Sequence, residues 1–188
     1  SNITYTIKPF AVNNVGESEG EAIQFTTSSA VVLGKAGILS TLLGDQIFNI
    51  TSLSLVGPLN GDDLRTLRIM AGRDEENHPT AGRLADLDIS GASIVAGGGE
   101  YGESRFTEDG VIGVGLFRAC TGLKTIKLPM GAVKIEKEAF EGCTSLRSIT
   151  IPASVSAVSP SAGCTSLENI DVSAANTHFM SKDGVLLS

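Results

Sequence analysis

Tryptophan is absent from the 188 residues, and aromatic side chains make up only 5% of them. A core must then be assembled from Leu, Ile, Val and Ala, which suits repeated packing of similar aliphatic layers. No apolar run reaches the roughly 18–20 residues that a membrane-spanning helix needs. The best stretch, residues 30–43, is interrupted by Gly34, Lys35 and Gly37. Basic clusters are missing as well. With 14 Lys and Arg against 21 Asp and Glu, the formal charge is −7. Phosphate backbones and anionic membrane surfaces both require concentrated positive charge, so neither is an expected partner.

Further absences bear on chemistry. The three cysteines form no Cys-x-x-Cys, and only His78 and His178 could add nitrogen ligands. Zinc-type spacing is therefore lacking, and no metal or cofactor is expected. There is no hydrolase nucleophile elbow, phosphate-binding loop or dinucleotide fingerprint. Gly97-Gly-Gly-Glu100 lacks the strand-to-helix setting that phosphate binding requires and reads as a loop. The run Asp74, Glu75, Glu76 lacks the alternating oxygen ligands and turn glycine of a calcium loop, so it reads as a solvated charge run. No carboxylate pair is singled out among the 21 acids. The expectation is a chain that is not an enzyme. The N-terminus lacks the basic and apolar regions of a signal peptide, and Ser1-Asn2-Ile3-Thr4 reads as the middle of a strand, as in a mature or trimmed chain.

What is present is a repeat. Phe117-x-x-Cys120-Thr-Gly-Leu123-x-x-Ile126-x-Leu128-Pro129 recurs as Phe140-x-x-Cys143-Thr-Ser-Leu146-x-x-Ile149-x-Ile151-Pro152. A third copy runs Cys164-Thr-Ser-Leu167-x-x-Ile170-x-Val172. The cysteines at 120, 143 and 164 are spaced 23 and 21 residues apart, inside the period of leucine-rich repeats. Ile-x-Leu, Ile-x-Ile and Ile-x-Val each put alternate side chains on one face of a short strand. One such unit cannot bury its own apolar face, so neighbouring units must stack. The third copy lacks two residues and the Phe, which predicts a tighter outer turn there.

Two earlier segments read as irregular members of the same series. Leu53-Ser-Leu55 is one strand, and Leu87-Asp-Ile89, ending near Gly91, is the next. Between them Leu64, Leu67 and Ala71 stand at helical spacing, with Asn60 or Asp62 as candidate caps. A short helix around Ile38, Leu39, Leu42 and Leu43 is placed to cover the open end of the stack. Residues 74–77 and 97–99 read as loops. The first 27 residues differ: Tyr5-x-Ile7, Ala11-x-Asn13 and Ile23-x-Phe25 alternate around an Asn14-Val-Gly16 turn, the pattern of a β-hairpin.

The Phe-x-x-Cys-x-x-Leu-x-x-Ile-x-Leu-Pro pattern resembles the BspA-type leucine-rich repeats of surface proteins from Bacteroides-like bacteria. Ser181-Lys-Asp-Gly184-Val-Leu resembles a variant repeat start, so the chain is expected to stop partway through a coil. Leu42 to Gly61 is similar to the N-terminal cap of that family, and Tyr5 to Thr27 resembles the last hairpin of a fibronectin type III-like module. The resemblance covers most of the chain. It implies an α+β solenoid: short parallel strands stacked as leucine-rich repeats, a helical N-terminal cap, and a preceding β-hairpin. The expected division is a fibronectin-like hairpin at 1–28 and a repeat domain at 29–188, irregular over 29–110 and regular over 111–188. The resemblance further implies an exported or lipid-anchored surface protein, some relatives of which are adhesins for host matrix proteins or other bacteria. The sequons Asn2-Ile-Thr4 and Asn49-Ile-Thr51 are then accidental.

If all five core strands share a sheet, one outward row is Ser54, Asp88, Lys127, Thr150 and Asp171. The other is Ser52, Asp86, Thr125, Ser148 and Asn169. Asp86, Asp88, Thr125, Lys127, Ser148, Thr150, Asn169 and Asp171 are the candidate binding residues, because solenoids commonly bind through this surface. The rows lack the Trp, Tyr and Arg that anchor tight interfaces, which predicts weak binding by the fragment alone. A structural spacer is the competing reading. A glycan-binding module is a third, with Tyr101 and Phe106 as its candidate loop platforms. Cys120, Cys143 and Cys164 could come within disulfide range on stacked units, but an odd count locked to the motif favours a buried ladder of free thiols.

Overall fold

The computed structural model describes the backbone of residues 4–7, 10–13, 16–19 and 23–26, and the whole of residues 30–159 and 161–188. Strands β1 (Thr4–Ile7) and β4 (Ile23–Thr26) pair antiparallel, as do β2 (Phe10–Asn13) and β3 (Gly16–Glu19). That is the pairing order of a hairpin. The expected turn residues Asn14 and Val15 lie outside the described residues.

From Val31 onward the main element is a six-stranded parallel sheet. Its strands are β5 (Val31–Val32), β6 (Ser52–Leu59), β7 (Asp86–Ile94), β9 (Thr125–Lys127), β11 (Ser148–Ile151) and β13 (Asn169–Val172), neighbours in that order. The register aligns Leu53, Leu87, Ile126, Ile149 and Ile170 in one column. Leu53, Leu87, Ile126 and Ile149 are buried and Ile170 partly so, as alternation requires of a sheet with one face on the core. Pro152, which lacks an amide to donate to a neighbour, follows β11 directly, and Pro129 follows β9 after Leu128.

β7 does not end near Gly91 as expected; it continues to Ile94. A register shift after Ser54 lets β6 and β7 resume pairing at Val56 and Gly91. A Cβ at Gly91 would lie 2.8 Å from Val56 Cγ2, so a larger residue there would have to displace the Val56 side chain.

A second, three-stranded parallel sheet was not anticipated. It joins β8 (Val111–Ile112), β10 (Lys134–Ile135) and β12 (Ala157–Val158). Each regular repeat thus contributes one strand to each sheet, with the Leu, Ile, Phe and Cys positions packed between. The tail forms an antiparallel hairpin of β14 (Met180–Lys182) and β15 (Val185–Leu187), turning through Asp183 and Gly184 at φ 53° and 77°.

Helices are few. α1 (Leu39–Leu43) runs into a 3-10 turn (Gly44–Phe48), and α2 is Gly61–Met70. Asn60 caps α2: its Oδ1 accepts from the Asp62 and Asp63 amides, while the Asp63 carboxylate accepts from the Asn60 amide. This reciprocal box satisfies amides that the first helical turn leaves free.

The repeat also has a backbone requirement. Gly142 and Gly163, each just before the motif cysteine, have φ of 70° and 80°. In the first copy that position is Ala119, held at φ 56°. Left-handed backbone costs a residue with a Cβ about 1 kcal/mol relative to glycine. Ala119→Gly is therefore expected to raise the urea midpoint by an amount equivalent to about 0.5–1 kcal/mol. An unchanged or lowered midpoint would show that the site is not strained.

Candidate interaction face

The outward rows assemble as the motif spacing predicts. Ser52, Asp86, Thr125, Ser148 and Asn169 are successive partners across the sheet, and so are Ser54, Asp88, Lys127, Thr150 and Asp171. All eight candidate binding residues therefore lie on one face, each exposed or half-exposed. That face carries three acids, Asp86, Asp88 and Asp171, against one base, Lys127.

Much of its polarity is spent internally. Lys127 Nζ lies 2.9 Å from Asp88 Oδ2, and the other Asp88 oxygen accepts from the Ser90 amide and hydroxyl at 3.0 and 2.6 Å. Thr125 Oγ1 donates to Asp86 at 2.7 Å, and Asn169 Nδ2 donates to Asp171 at 2.8 Å. Partial burial would raise the Asp88 carboxyl, but the Ser90 hydrogen bonds and the Lys127 charge outweigh it and hold the group below the ordinary carboxylate value. A depressed folded value means that the stabilisation is full above the unfolded value near 3.8 and is lost as pH falls through the folded one. Lys127→Met is expected to raise the Asp88 value measured by NMR titration and to reduce that acid-side loss. No movement of the Asp88 titration would show the pair to be inert.

A depression of about 320 Å³ opens between Ser52, Ser54, Asp86, Asp88, Thr125 and Lys127. A second, of about 370 Å³ and more apolar, runs from Lys127 past Met130 and Thr150 to Pro152 and Ser173. Lys127 borders both. Met130 is 69% exposed, an apolar side chain beside the polar rows that the sequence reading did not single out.

Other candidates fare differently. Tyr101 is only 3% exposed and its hydroxyl donates to the Val114 carbonyl, so it offers no platform to a sugar. Phe106 is 62% exposed, at the rim of a pocket of about 220 Å³ with Arg105, Glu108 and Glu136. Asp74, Glu76 and His78 bring ligand atoms within 4.8 Å of one another, with Asp74 also accepting from the His78 amide at 2.7 Å. The sequence reading considered the acids without the histidine; the alternate spacing Asp-x-Glu-x-His was the signal available.

The cysteines are free thiols. Cys143 Sγ donates to the Phe117 carbonyl at 3.0 Å, and Cys164 Sγ to the Phe140 carbonyl at 3.1 Å. The Phe117 amide reaches the Ala139 carbonyl at 2.7 Å. Within a unit the Phe-x-x-Cys spacing closes a turn, the Cys120 and Cys143 amides reaching the Phe117 and Phe140 carbonyls at 3.0 and 3.1 Å, and the thiol of the next unit adds a second bond to each carbonyl. Burial pushes the Cys120 thiol up to about 12 and raises the other two. Only Cys164 is partly exposed, so it is expected to react first with iodoacetamide at pH 8, with Cys120 and Cys143 modified only on unfolding. Peptide mapping that found Cys120 modified first in the folded chain would contradict this arrangement.

Against known proteins, residues 108–182 match the model of the BspA type leucine-rich repeat region in six copies. Residues 108–182 are a BspA-type leucine-rich repeat region. The repeat region contains three strands of each parallel sheet, β9, β11 and β13 in one and β8, β10 and β12 in the other. The fold is accordingly of leucine-rich-repeat type, with parallel strands and few helices. A solved leucine-rich cell surface protein from Faecalibacterium prausnitzii A2-165 is similar at 21% identity, with a TM-score of 0.36 over 66% of this chain. The chain spans about 28% of that protein's length. No curated protein matches it. Among the described residues, no helix is long and apolar enough to cross a membrane.

Proposed function

We propose that the chain is a non-catalytic protein-interaction module of a bacterial surface protein, binding through the outward face of its main sheet. The supporting observation is the unbroken register of polar residues across five strands, with a depression bordered by Asp86, Asp88, Thr125 and Lys127. Solenoid repeats present extended surfaces of this kind. The reading takes α1 and the following turn as an N-terminal cap, and residues 1–28 as the end of a fibronectin type III-like module. It places the protein outside the cell, anchored through a region beyond this chain, in a Bacteroides-like bacterium and as a lipoprotein. Adhesion to matrix or other surface proteins is the proposed role, with useful affinity arising from several weak contacts at once.

The test is binding of the reduced, monomeric chain to immobilised fibrinogen, fibronectin and mucin. Saturable binding that Asp86→Ala and Lys127→Ala weaken together is the expected result. Binding indifferent to both substitutions would move the interaction off this face.

The internal pairing of Asp86, Asp88 and Asp171 favours a second reading, a spacer that projects another domain. Groups already hydrogen-bonded gain little from a partner. If the second reading holds, an unrelated spacer of equal length preserves adhesion. If adhesion is lost, it fails. A glycan-binding accessory role would rest on Phe106 without Tyr101, and unchanged glycan binding in Phe106→Ala would dispose of it.

A further inference from the structure

The first two regular repeats pack an aromatic ladder. The rings of Phe117 and Phe140 stack with centroids 5.7 Å apart and planes 9° from parallel. Aligning Gly163-Cys164 with Gly142-Cys143 puts Ser161 where the third ring would stand. The hydroxyl of Ser161 turns to the backbone instead, accepting from the Phe140 amide at 3.3 Å.

Between the second and third repeats lies a cavity of about 190 Å³. Its walls include Phe140, Ile149, Leu167, Ile170 and Leu186, with Ser161 and the Cys164 thiol at its margin. Among the described residues, no charged side chain lines it. Apolar cavities near 150 Å³ stay dry and take up benzene, because water gains too few hydrogen bonds inside to enter. Here the space is somewhat larger and partly open to solvent, its lining is almost wholly apolar, and one wall is an aromatic ring whose outer neighbour in the ladder is missing. An aromatic guest stacked on such a ring gains contact beyond simple burial of its surface.

We propose that this cavity is a binding site for a small neutral aromatic molecule one ring in size, stacked on Phe140 in the place of the absent third phenylalanine. The site is separate from the outward polar face, so the two stand or fall independently. Ser161→Phe supplies the missing ring from the chain itself and closes the site, while Ser161→Ala leaves it open.

Benzene is the probe, with tert-butanol at equal concentration as the non-aromatic control. Benzene is expected to raise the melting temperature of the full chain saturably, by about 3–5 °C at ten times its dissociation constant. Alkylation of Cys164 should slow severalfold over the same concentration range, since the thiol borders the cavity. Ser161→Ala should retain both responses and Ser161→Phe neither. An equal effect of tert-butanol, or no effect of benzene up to its solubility on either readout, overturns the proposal. The wild-type measurements decide the matter even if Ser161→Phe does not fold.

Discussion

Asp63→Ala is expected to destabilise the protein by about 4 kcal/mol, the largest loss from any single carboxylate in the described residues. Asp63 is fully buried, and its two oxygens accept from the amides of Gly37 at 2.6 Å, Leu39 at 2.9 Å and Asn60 at 3.0 Å. Alanine would leave all three donors without this acceptor, the Leu39 amide in a buried position and those of Gly37 and Asn60 in half-buried ones. Each buried orphan amide costs about 1–3 kcal/mol, and partial relaxation keeps the total below the sum. The carboxylate also sits in the first turn of α2, where the helix dipole favours negative charge. Asn should rescue little, because its amide group would point a donor at donors. Urea unfolding of both variants provides the check. A loss under 1 kcal/mol for Asp63→Ala would mean that α1 and its approach are already loose in the wild type.

Arg68→Met follows, with an expected loss of about 3 kcal/mol. Arg68 lies on α2, is 2% exposed, and donates to the carbonyls of Gly115, Leu116 and Asp74 at 2.8, 2.7 and 3.1 Å. It is one tie between the helical segment and the first regular repeat; Arg73 Nε, which donates to the Ala119 carbonyl at 2.8 Å, is another. Removing Arg68 strands the Leu116 carbonyl, while those of Gly115 and Asp74 keep the amides of Arg118 and Asn77 at 3.0 and 3.2 Å, and it trades a planar fork for a flexible apolar chain of similar length. Its buried Nε has no partner, so part of the cost of keeping a guanidinium here is already present and is relieved by Met. That is why the expected loss falls short of the one at Asp63. Arg68→Lys should recover less than half, since one ammonium cannot span the same three carbonyls. In thermal melts a loss of about 3 kcal/mol corresponds to a fall of about 6–12 °C. A Met variant as stable as wild type would show that the Nε penalty cancels the three hydrogen bonds.

Neither residue's burial stands out in the sequence. Asp63 and Arg68 look like the polar side of a surface helix beside Leu64 and Leu67; the Asn60-x-x-Asp63 spacing marks Asp63 as a capping partner, but nothing local shows that either residue is buried. Asp62 and Arg65 do form an exposed ion pair at 2.8 Å. What separates the pairs is the packing of residues 37–39 on one side and 115–116 on the other. Both contacts join segments more than 20 residues apart.

The second sheet was hidden for a similar reason. Two-residue strands such as Val111–Ile112 and Lys134–Ile135 are too short to show alternation, and only stacking of the units pairs them. On the candidate face, the rows were legible because Ile-x-Ile spacing dictates which side chains lie next to each other once the units stack. Which of those neighbours would bond was not, since the Lys127–Asp88 and Thr125–Asp86 contacts depend on strand separation and rotamer. Tyr101 was misjudged because a loop position does not reveal whether its ring turns inward.

The sequence by itself determined the repeat unit, the inward column through Leu87, Ile126, Ile149 and Ile170, and a helix start capped by Asn60 or Asp62. Each of these follows from periodicity or from hydrogen bonds made within a few residues. Only the tertiary structure decided that Asp63 and Arg68 are buried, that thiols meet the Phe carbonyls, and that Ser161 leaves a cavity beside Phe140. Those features arise where one unit packs on another, and burial there depends on surfaces that no single stretch of chain contains.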